Sequence, residues 1–284
     1  MLSKNEFEVW VRSSHGFYTI FESRGDFYPL SLRLVEEWWR NNGRYCINDE
    51  MLRFLQSGLQ YLDHAIFGVE EALKSVVTNA FKEFLSKYFT VGELNNVGVA
   101  IAPYLFTWNI KRFKIYFEEN PQFSLSDYFI ALGLEIDRLR DEIAYFRSKR
   151  FVDSDVDSDE LKVRGLLKTV IEILRKLSKE YVGRKHEEPL ATIKILHILA
   201  PNYFLLLDNN IANAVGLGRV GIDTYITWMK RLKSWLQNYV DVLEKLEKEF
   251  GLPMLKLVDE CFYIMCTVNL SKRVKFLGIL YRTE

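Results

Sequence analysis

The sequence predicts a mainly α-helical globular protein with two helical lobes and a small N-terminal β-hairpin. Apolar residues recur at helical spacing from about Ser31 to about Phe250. The 284 residues are 49% hydrophobic and 27% charged, an ordinary globular composition. Aromatic side chains account for 14% of the chain, so we expect a core that buries many rings.

The first residues predict a β-hairpin. Phe7, Val9 and Val11 alternate with polar neighbours, as in a strand with one buried face. A turn at 13–16 then leads into a return strand from Phe17 to Phe21, and Arg24-Gly25-Asp26 is interpreted as a second turn.

Helices follow the hairpin. Ser31 is the predicted cap of the first helix, which Asn41-Asn42-Gly43 ends, and Asn48 or Asp49 starts the next. Further helices are predicted at about 69–85, 92–118 with a break near Pro103, 124–149, 158–181 and 222–250. The tail from Arg273 to Tyr281 is interpreted as a strand that pairs with the hairpin.

The predicted domain boundary is the acidic stretch 151–159. It separates a lobe at 1–150, which includes the hairpin, from a lobe at 160–284. The alternating acids of this stretch resemble a calcium loop, but Ser158 and Arg164 stand where such a loop has glycine and glutamate. We therefore expect a solvated linker rather than an ion site.

Charge and cysteine content narrow the classes of partner and compartment. Lys plus Arg and Asp plus Glu number 38 each, so the net charge gives no overall attraction to nucleic acid or acidic membranes, although a local basic face stays open. We find no apolar signal core and no run of about 18 apolar residues. Three sparse cysteines imply no disulfide framework. We expect a cytoplasmic, soluble protein with no membrane partner.

The sequence predicts neither a metal nor a cofactor. It has no CxxC, HxxxH or HExxH motif and no glycine-rich nucleotide fingerprint. His197, among apolar neighbours, is interpreted as a core histidine. A helical metal hydrolase is the weakest functional class, since His64 with Asp63 and Glu70-Glu71 is the nearest candidate set.

The segment 192–218 carries the most information about function. Pro201 halts an apolar helix, and an apolar link from Tyr203 to Leu207 leads to Asp208, ahead of a short helix. We predict that the Asp208 carboxylate caps this helix by accepting from the amide of Asn210 or Ile211. The alternative is that Asp208 is the reactive acid of a site.

Two groups of residues downstream suggest contact with a nucleic-acid backbone. The stretch 215–219 matches the hGhG hairpin (h, apolar) that brings backbone amides to a DNA phosphate, although a helix stop followed by a turn explains it equally well. A basic set lies near Trp228 and Trp235, where it either contacts a backbone or forms a solvated helix face. The candidate nucleic-acid-binding residues are Gly216, Gly218, Arg219, Lys230, Arg231 and Lys233.

The segment 191–217 resembles the catalytic segment of helix-hairpin-helix DNA glycosylases of the endonuclease III type. The matching places are filled by Leu196, Pro201, Phe204, Asp208, Ile211, Val215 and Gly216. The resemblance implies that Asp208 is catalytic and stabilises positive charge on the sugar as the base leaves, and that DNA is the partner.

The sequence departs from this family at three places. Leu190 stands near the position of the lysine that bifunctional members use, and 183–189 has one glycine where the hairpin has two. The cysteines of the iron–sulfur cluster are absent. The resemblance covers less than a tenth of the chain.

Two classes of function therefore stand. The first is nucleic-acid binding or processing, which predicts a basic cleft near a partly buried Asp208. The second is a non-catalytic all-α protein-interaction or scaffold protein, which predicts an Asp208 fully engaged with backbone amides and an exposed apolar patch elsewhere. The neutral net charge favours the second class, and segment 192–218 favours the first.

Overall fold

The computed structural model describes residues 2–22, 26–59 and 71–268, and it confirms a mainly helical fold. Among the described residues, no helix combines the length and the apolar character needed to cross a bilayer. The helices are α1 (Lys4–Phe17), α2 (Tyr28–Arg40), α3 (Asp49–Leu59), α4 (Glu71–Tyr88), α5 (Val97–Trp108), α6 (Ile110–Glu119), α7 (Leu125–Asp137), α8 (Arg140–Arg147), α9 (Val156–Val182), α10 (Pro189–Leu199), α11 (Asn209–Ala214), α12 (Ile222–Leu236), α13 (Val240–Phe250) and α14 (Met254–Cys266).

The predicted N-terminal β-hairpin is wrong, because this segment forms α1 and a following π-helical turn. A capping box starts the helix: the Ser3 hydroxyl accepts from the Glu6 amide, and the Glu6 carboxylate accepts from the Ser3 amide at 2.7 Å. Phe7 and Val11 are buried four residues apart, whereas Val9 is 62% exposed. The burial therefore follows the period of a helix rather than that of a strand.

The sheet lies elsewhere in the chain and is very small. Strand β1 (Tyr45–Ile47) pairs antiparallel with β2 (Gly92–Leu94), with Tyr45 opposite Leu94. Its three-residue strands connect helices, and Tyr45 and Ile47 of β1 are buried in the core.

Helix starts were predicted with mixed success. Helix α2 begins at Tyr28 with Pro29 in its first turn, so Ser31 lies buried inside the helix and is not its cap. The predicted start at Asn48 or Asp49 is confirmed, since the Asn48 side chain accepts from the Met51 amide at 3.0 Å.

Several helices predicted as long are divided in the structure. The prediction at 92–118 corresponds to β2, α5 and α6, and the two helices are separated at Asn109. The prediction at 124–149 corresponds to α7 and α8. The prediction at 222–250 is interrupted by a 3-10 turn at Gln237–Tyr239, between α12 and α13.

The described residues form two compact units, each assembled from separated segments, whereas the sequence predicts contiguous lobes at 1–150 and 160–284. The first unit contains the described parts of 1–23, 146–165 and 200–284. Its aromatic core includes Phe7, stacked on Tyr239 with ring centroids 4.1 Å apart. This unit holds Asp208 and all the predicted nucleic-acid-binding residues.

The second unit contains the described parts of 24–145 and 166–199. Helix α5 packs between α2 and α7, and Phe81 stacks on Phe106 with ring centroids 4.1 Å apart. Gly98 and Gly133 allow the close approach of α5 and α7, because a Cβ on Gly98 would lie 1.9 Å from the Phe129 carbonyl oxygen.

The acidic stretch 151–159 belongs to the first unit and is solvated only in part, since Asp153, Asp155 and Asp157 are exposed. Phe151, Val152, Val156 and Asp159 are all buried. The Asp155 carboxylate accepts from backbone amides in the first turn of α9, so this acid caps a helix.

Three predictions fall outside the described residues. They are the Arg24-Gly25 part of the second turn, the C-terminal strand at 273–281 and the metal-hydrolase set around His64.

Candidate functional site

The link that leads to Asp208 is buried and irregular. Tyr203, Phe204 and Leu205 are no more than 1% exposed, and the Tyr225 hydroxyl donates to the Leu205 carbonyl at 2.9 Å. This hydrogen bond satisfies a backbone acceptor that no regular element pairs. The link thereby fixes the position from which Asp208 starts α11.

Asp208 is the N-cap of α11, as the capping interpretation predicts. Its Oδ1 atom accepts from the Ile211 amide at 2.7 Å. Its Oδ2 atom lies 3.4 Å from the Thr267 hydroxyl, and the side chain is partly buried. Both carboxylate oxygens therefore have a polar neighbour within the first unit.

The segment Val215–Gly221 forms a tight connection between α11 and α12. Gly216 and Gly218 have φ angles of +74° and +73°, in the left-handed region that favours glycine. The Leu217 amide donates to the Ala212 carbonyl at 2.8 Å, the pattern of a helix C-terminal cap. We call Val215–Gly221 the glycine hairpin.

The glycine hairpin presents backbone donors to solvent. Within the described residues, the amides of Gly218 and Arg219 donate to no protein acceptor, and Gly216, Gly218 and Arg219 are exposed. A Cβ added at Gly216 or Gly218 would meet no atom within 4 Å. Gly221 precedes α12 and supplies no side-chain cap for the first amides of that helix.

The predicted basic residues of α12 make contacts inside the first unit. Lys230 pairs with Asp157 at 2.5 Å and with Glu160 at 2.7 Å. Lys233 donates to the carbonyl oxygens of Phe151 and Val152, and burial lowers the pKa of its amine.

The two other predicted cations, Arg231 and Arg219, lie at the glycine hairpin. The Arg231 guanidinium donates to the Val215 carbonyl at 3.3 Å, so this exposed side chain reaches back to the glycine hairpin. Arg219 is exposed on the hairpin itself. The acidic neighbour Asp223 pairs with Arg164 at 2.5 Å. The structure thus brings Gly216, Gly218, Arg219 and Arg231 together, while Lys230 and Lys233 are turned to other partners.

A second polar site, in the second unit, was missed by sequence reasoning. The Glu188 carboxylate, 5% exposed, accepts from Arg112 Nε at 2.7 Å and from the Tyr116 hydroxyl at 3.1 Å. Burial raises the pKa of Glu188, and Arg112 and Tyr116 oppose that rise. A cavity of about 10 Å³ lies beside this carboxylate, which is room for about one water molecule.

The network continues through His186. Arg112 Nη1 lies 3.3 Å from His186 Nδ1, and His186 Nε2 lies 2.6 Å from the Glu119 carboxylate. An arginine can only donate, so the Nδ1 atom accepts and the Nε2 atom donates to Glu119. Burial works to raise the pKa of Glu119, but hydrogen bonds from His186 and Arg184 lower it overall. The network ties residues 184–188 to α6.

The contacts of this network indicate a structural role rather than a catalytic one. Its cavity admits no molecule larger than water. In the sequence, the one sign of this network is Glu188 next to Pro189 at the start of an apolar helix. That pattern does not indicate which side chain contacts Glu188.

His197 is buried in the core, as predicted. Its Nε2 atom lies 2.9 Å from the Tyr28 hydroxyl, and the two rings stack. Among the described residues, no group of three or more His, Cys, Asp or Glu side chains is arranged to hold a metal ion.

Comparison of the chain with protein-family models, with curated proteins and with solved structures finds no match.

Proposed function

We propose that the first unit binds the sugar–phosphate backbone of a nucleic acid through the glycine hairpin, without chemistry at Asp208. The observation that carries this proposal is the pair of left-handed glycines next to exposed amides that have no protein acceptor. Phosphate oxygens accept readily from backbone amides, and glycine lets the phosphate approach the main chain.

Positive charge near the glycine hairpin also supports the binding of a phosphate backbone. Arg219 is exposed on the hairpin, and Arg231 contacts its first carbonyl from α12. The amides at the start of α12 add the positive end of a helix dipole. Asp223, in the first turn of α12, opposes this, but its carboxylate is paired with Arg164.

The contacts of Asp208 favour binding over catalysis. A carboxylate that stabilises charge on a sugar needs an oxygen directed at the substrate. Asp208 instead directs Oδ1 to the Ile211 amide and places Oδ2 near the Thr267 hydroxyl. DNA-glycosylase-like processing at Asp208 stays a prediction that the Asp208→Asn variant tests, because asparagine caps a helix about as well as aspartate.

The test is DNA-binding affinity, measured by fluorescence anisotropy with labelled single- and double-stranded oligonucleotides. Gly218→Ala places a methyl group where the phosphate approaches and should weaken binding by about tenfold. Gly251→Ala is the matched control, since Gly251 has a φ angle of +66° and ends α13, outside the glycine hairpin. Both substitutions carry a similar backbone cost, so equal affinities for the two variants would contradict the proposal.

Arg219→Ala provides an independent arm. The loss of one phosphate contact should weaken binding to all sequences alike and reduce the salt dependence by about one ion. Arg138→Ala, an exposed arginine of the second unit, is the control and should leave affinity unchanged.

The second candidate function is a non-catalytic scaffold that binds a protein partner. The contacts of Asp208 support it in part, because one carboxylate oxygen accepts from a backbone amide, as this class predicts, and the other lies near the Thr267 hydroxyl. This second function would be favoured if the wild-type protein binds no DNA at low salt and if Asp208→Asn changes neither the stability nor the activity of the protein.

A further inference from the structure

Helix α14 carries charged residues on a buried face. Lys256, Asp259 and Glu260 are 1%, 8% and 1% exposed and lie three and four residues apart. The Lys256 ammonium is 3.1 Å from Asp259 Oδ2 and 3.9 Å from Glu260 Oε1. Buried charges cost several kcal/mol unless they are paired, so the balance of charge within this cluster matters.

Other elements of the first unit surround the cluster. From α1, His15 Nδ1 lies 2.8 Å from Glu260 Oε2. From the π-helical turn that follows α1, the ring centroid of Tyr18 lies 4.4 Å from the Lys256 ammonium. From α11, the Asp208 carboxylate adds negative potential at Asp259. From α13, the Glu247 carboxylate accepts from the Met254 amide at the start of α14.

Among the described residues, the cluster therefore holds more acids than permanent cations. One ammonium, that of Lys256, serves the carboxylates of Asp259 and Glu260, and Asp208 adds a third negative group nearby. A buried site with excess negative charge gains stability when it takes up a proton.

We propose that this cluster is a pH-sensitive contact between α1 and α14, in which proton uptake tightens the packing of the two helices as the pH falls from about 7.5 to about 5.5. Asp259 is the group that takes up the proton, and Lys256 then remains beside Glu260. His15 couples the change to α1, because its ring contacts Glu260 from that helix.

The direction follows from the acid itself. Burial raises the pKa of Asp259 to about 6, with Lys256 opposing the rise and Glu260 and Asp208 adding to it. A carboxyl group with a raised pKa in the folded state stabilises the fold at low pH, and this contribution is lost as the pH rises through about 6. The exposed acids with lowered pKa values act in the opposite direction only at more acidic pH.

The experiment measures hydrogen exchange of the α1 amides at pH 5.5 and 7.5, each corrected for the intrinsic exchange rate, together with the melting temperature. The wild-type protein should show slower exchange in α1 and a melting temperature about 2 °C higher at pH 5.5. Asp259→Asn should remove most of this difference. Asp141→Asn, an exposed acid of the second unit, should retain it.

Two results would overturn the proposal: equal protection of α1 at both pH values in the wild type, or an unchanged pH difference in Asp259→Asn. If that variant fails to fold, the proposal is tested instead by NMR of wild-type protein labelled with ¹³C at the aspartate carboxyl groups. A carboxyl that titrates near pH 6 supports the proposal, and titration of every aspartate below about pH 5 overturns it.

Discussion

Asp208 and Ile211 form the contact that starts α11, with the carboxylate oxygen 2.7 Å from the amide nitrogen. The same acid is the residue that the glycosylase resemblance marks as catalytic. Because the contact orients the carboxylate toward its own helix, the geometry assigns Asp208 a role in holding α11 and the hairpin behind it. We therefore expect its loss to affect stability before chemistry.

Replacing Asp208 by alanine should lower the free energy of unfolding by about 1 kcal/mol, the usual cost of a lost helix cap. Asp208→Asn should retain most of the stability, because the amide oxygen still accepts from Ile211. Urea unfolding of both variants provides the measurement. If Asp208→Asn lowers the free energy of unfolding as much as Asp208→Ala does, then the negative charge of Asp208 stabilises the protein and helix capping does not.

The contact between α5 and α7 depends on glycine. Gly98→Ala forces a Cβ to within 1.9 Å of the Phe129 carbonyl and should destabilise the protein by about 3 kcal/mol through displacement of the helices. Gly165→Ala is the control, because this glycine lies inside α9 with no atom within 4 Å of the added Cβ. It should stabilise the protein by about 0.5–1 kcal/mol. Similar effects of the two variants on the urea midpoint would contradict the close approach.

Arg112→Met should destabilise the second unit at pH 7 by about 2 kcal/mol, because it leaves Glu188 buried without its cationic partner. The figure is smaller than for a fully buried pair, since the Arg112 side chain is 32% exposed. The double variant with Glu188→Gln should recover part of the loss. An additive double-mutant cycle would show that the two side chains do not interact.

Glu188 gives a prediction about pH. Its pKa is raised in the fold, so its contribution to stability is present below the unfolded pKa and is lost as the pH rises through the folded pKa. In the wild type, this group lowers the free energy of unfolding as the pH rises. In Glu188→Gln, the free energy of unfolding should therefore depend less on pH. Urea titrations at several pH values above 4.5 check this, and an unchanged slope in the variant would count against a buried, ionisable Glu188.

The helical class was predictable because apolar periodicity persists through most of the chain. The N-terminal segment was mistaken for strands, since Phe7, Val9 and Val11 also satisfy an alternating pattern. The Ser3–Glu6 capping box was the signal that distinguishes the two, and it sits just before the alternation. Helix breaks such as Gln237–Tyr239 contain no glycine or proline, so tertiary packing decides them.

The candidate site was predictable in part. Capping by Asp208 followed from its residue type at the start of a helix, and the left-handed glycines followed from their residue type. The contacts of Lys230 and Lys233 were not predictable, because their partners lie about 70 to 80 residues away in the chain. For the same reason, nothing in the sequence paired Arg112 with Glu188.

The most direct test of the proposed function is the salt dependence of DNA binding by the wild-type protein, measured by anisotropy between about 50 and 200 mM salt. Binding through the glycine hairpin predicts an affinity that falls linearly with the logarithm of salt concentration and is weaker for Gly218→Ala than for Gly251→Ala. No measurable binding at the lowest salt, or binding that does not respond to salt, would contradict the account.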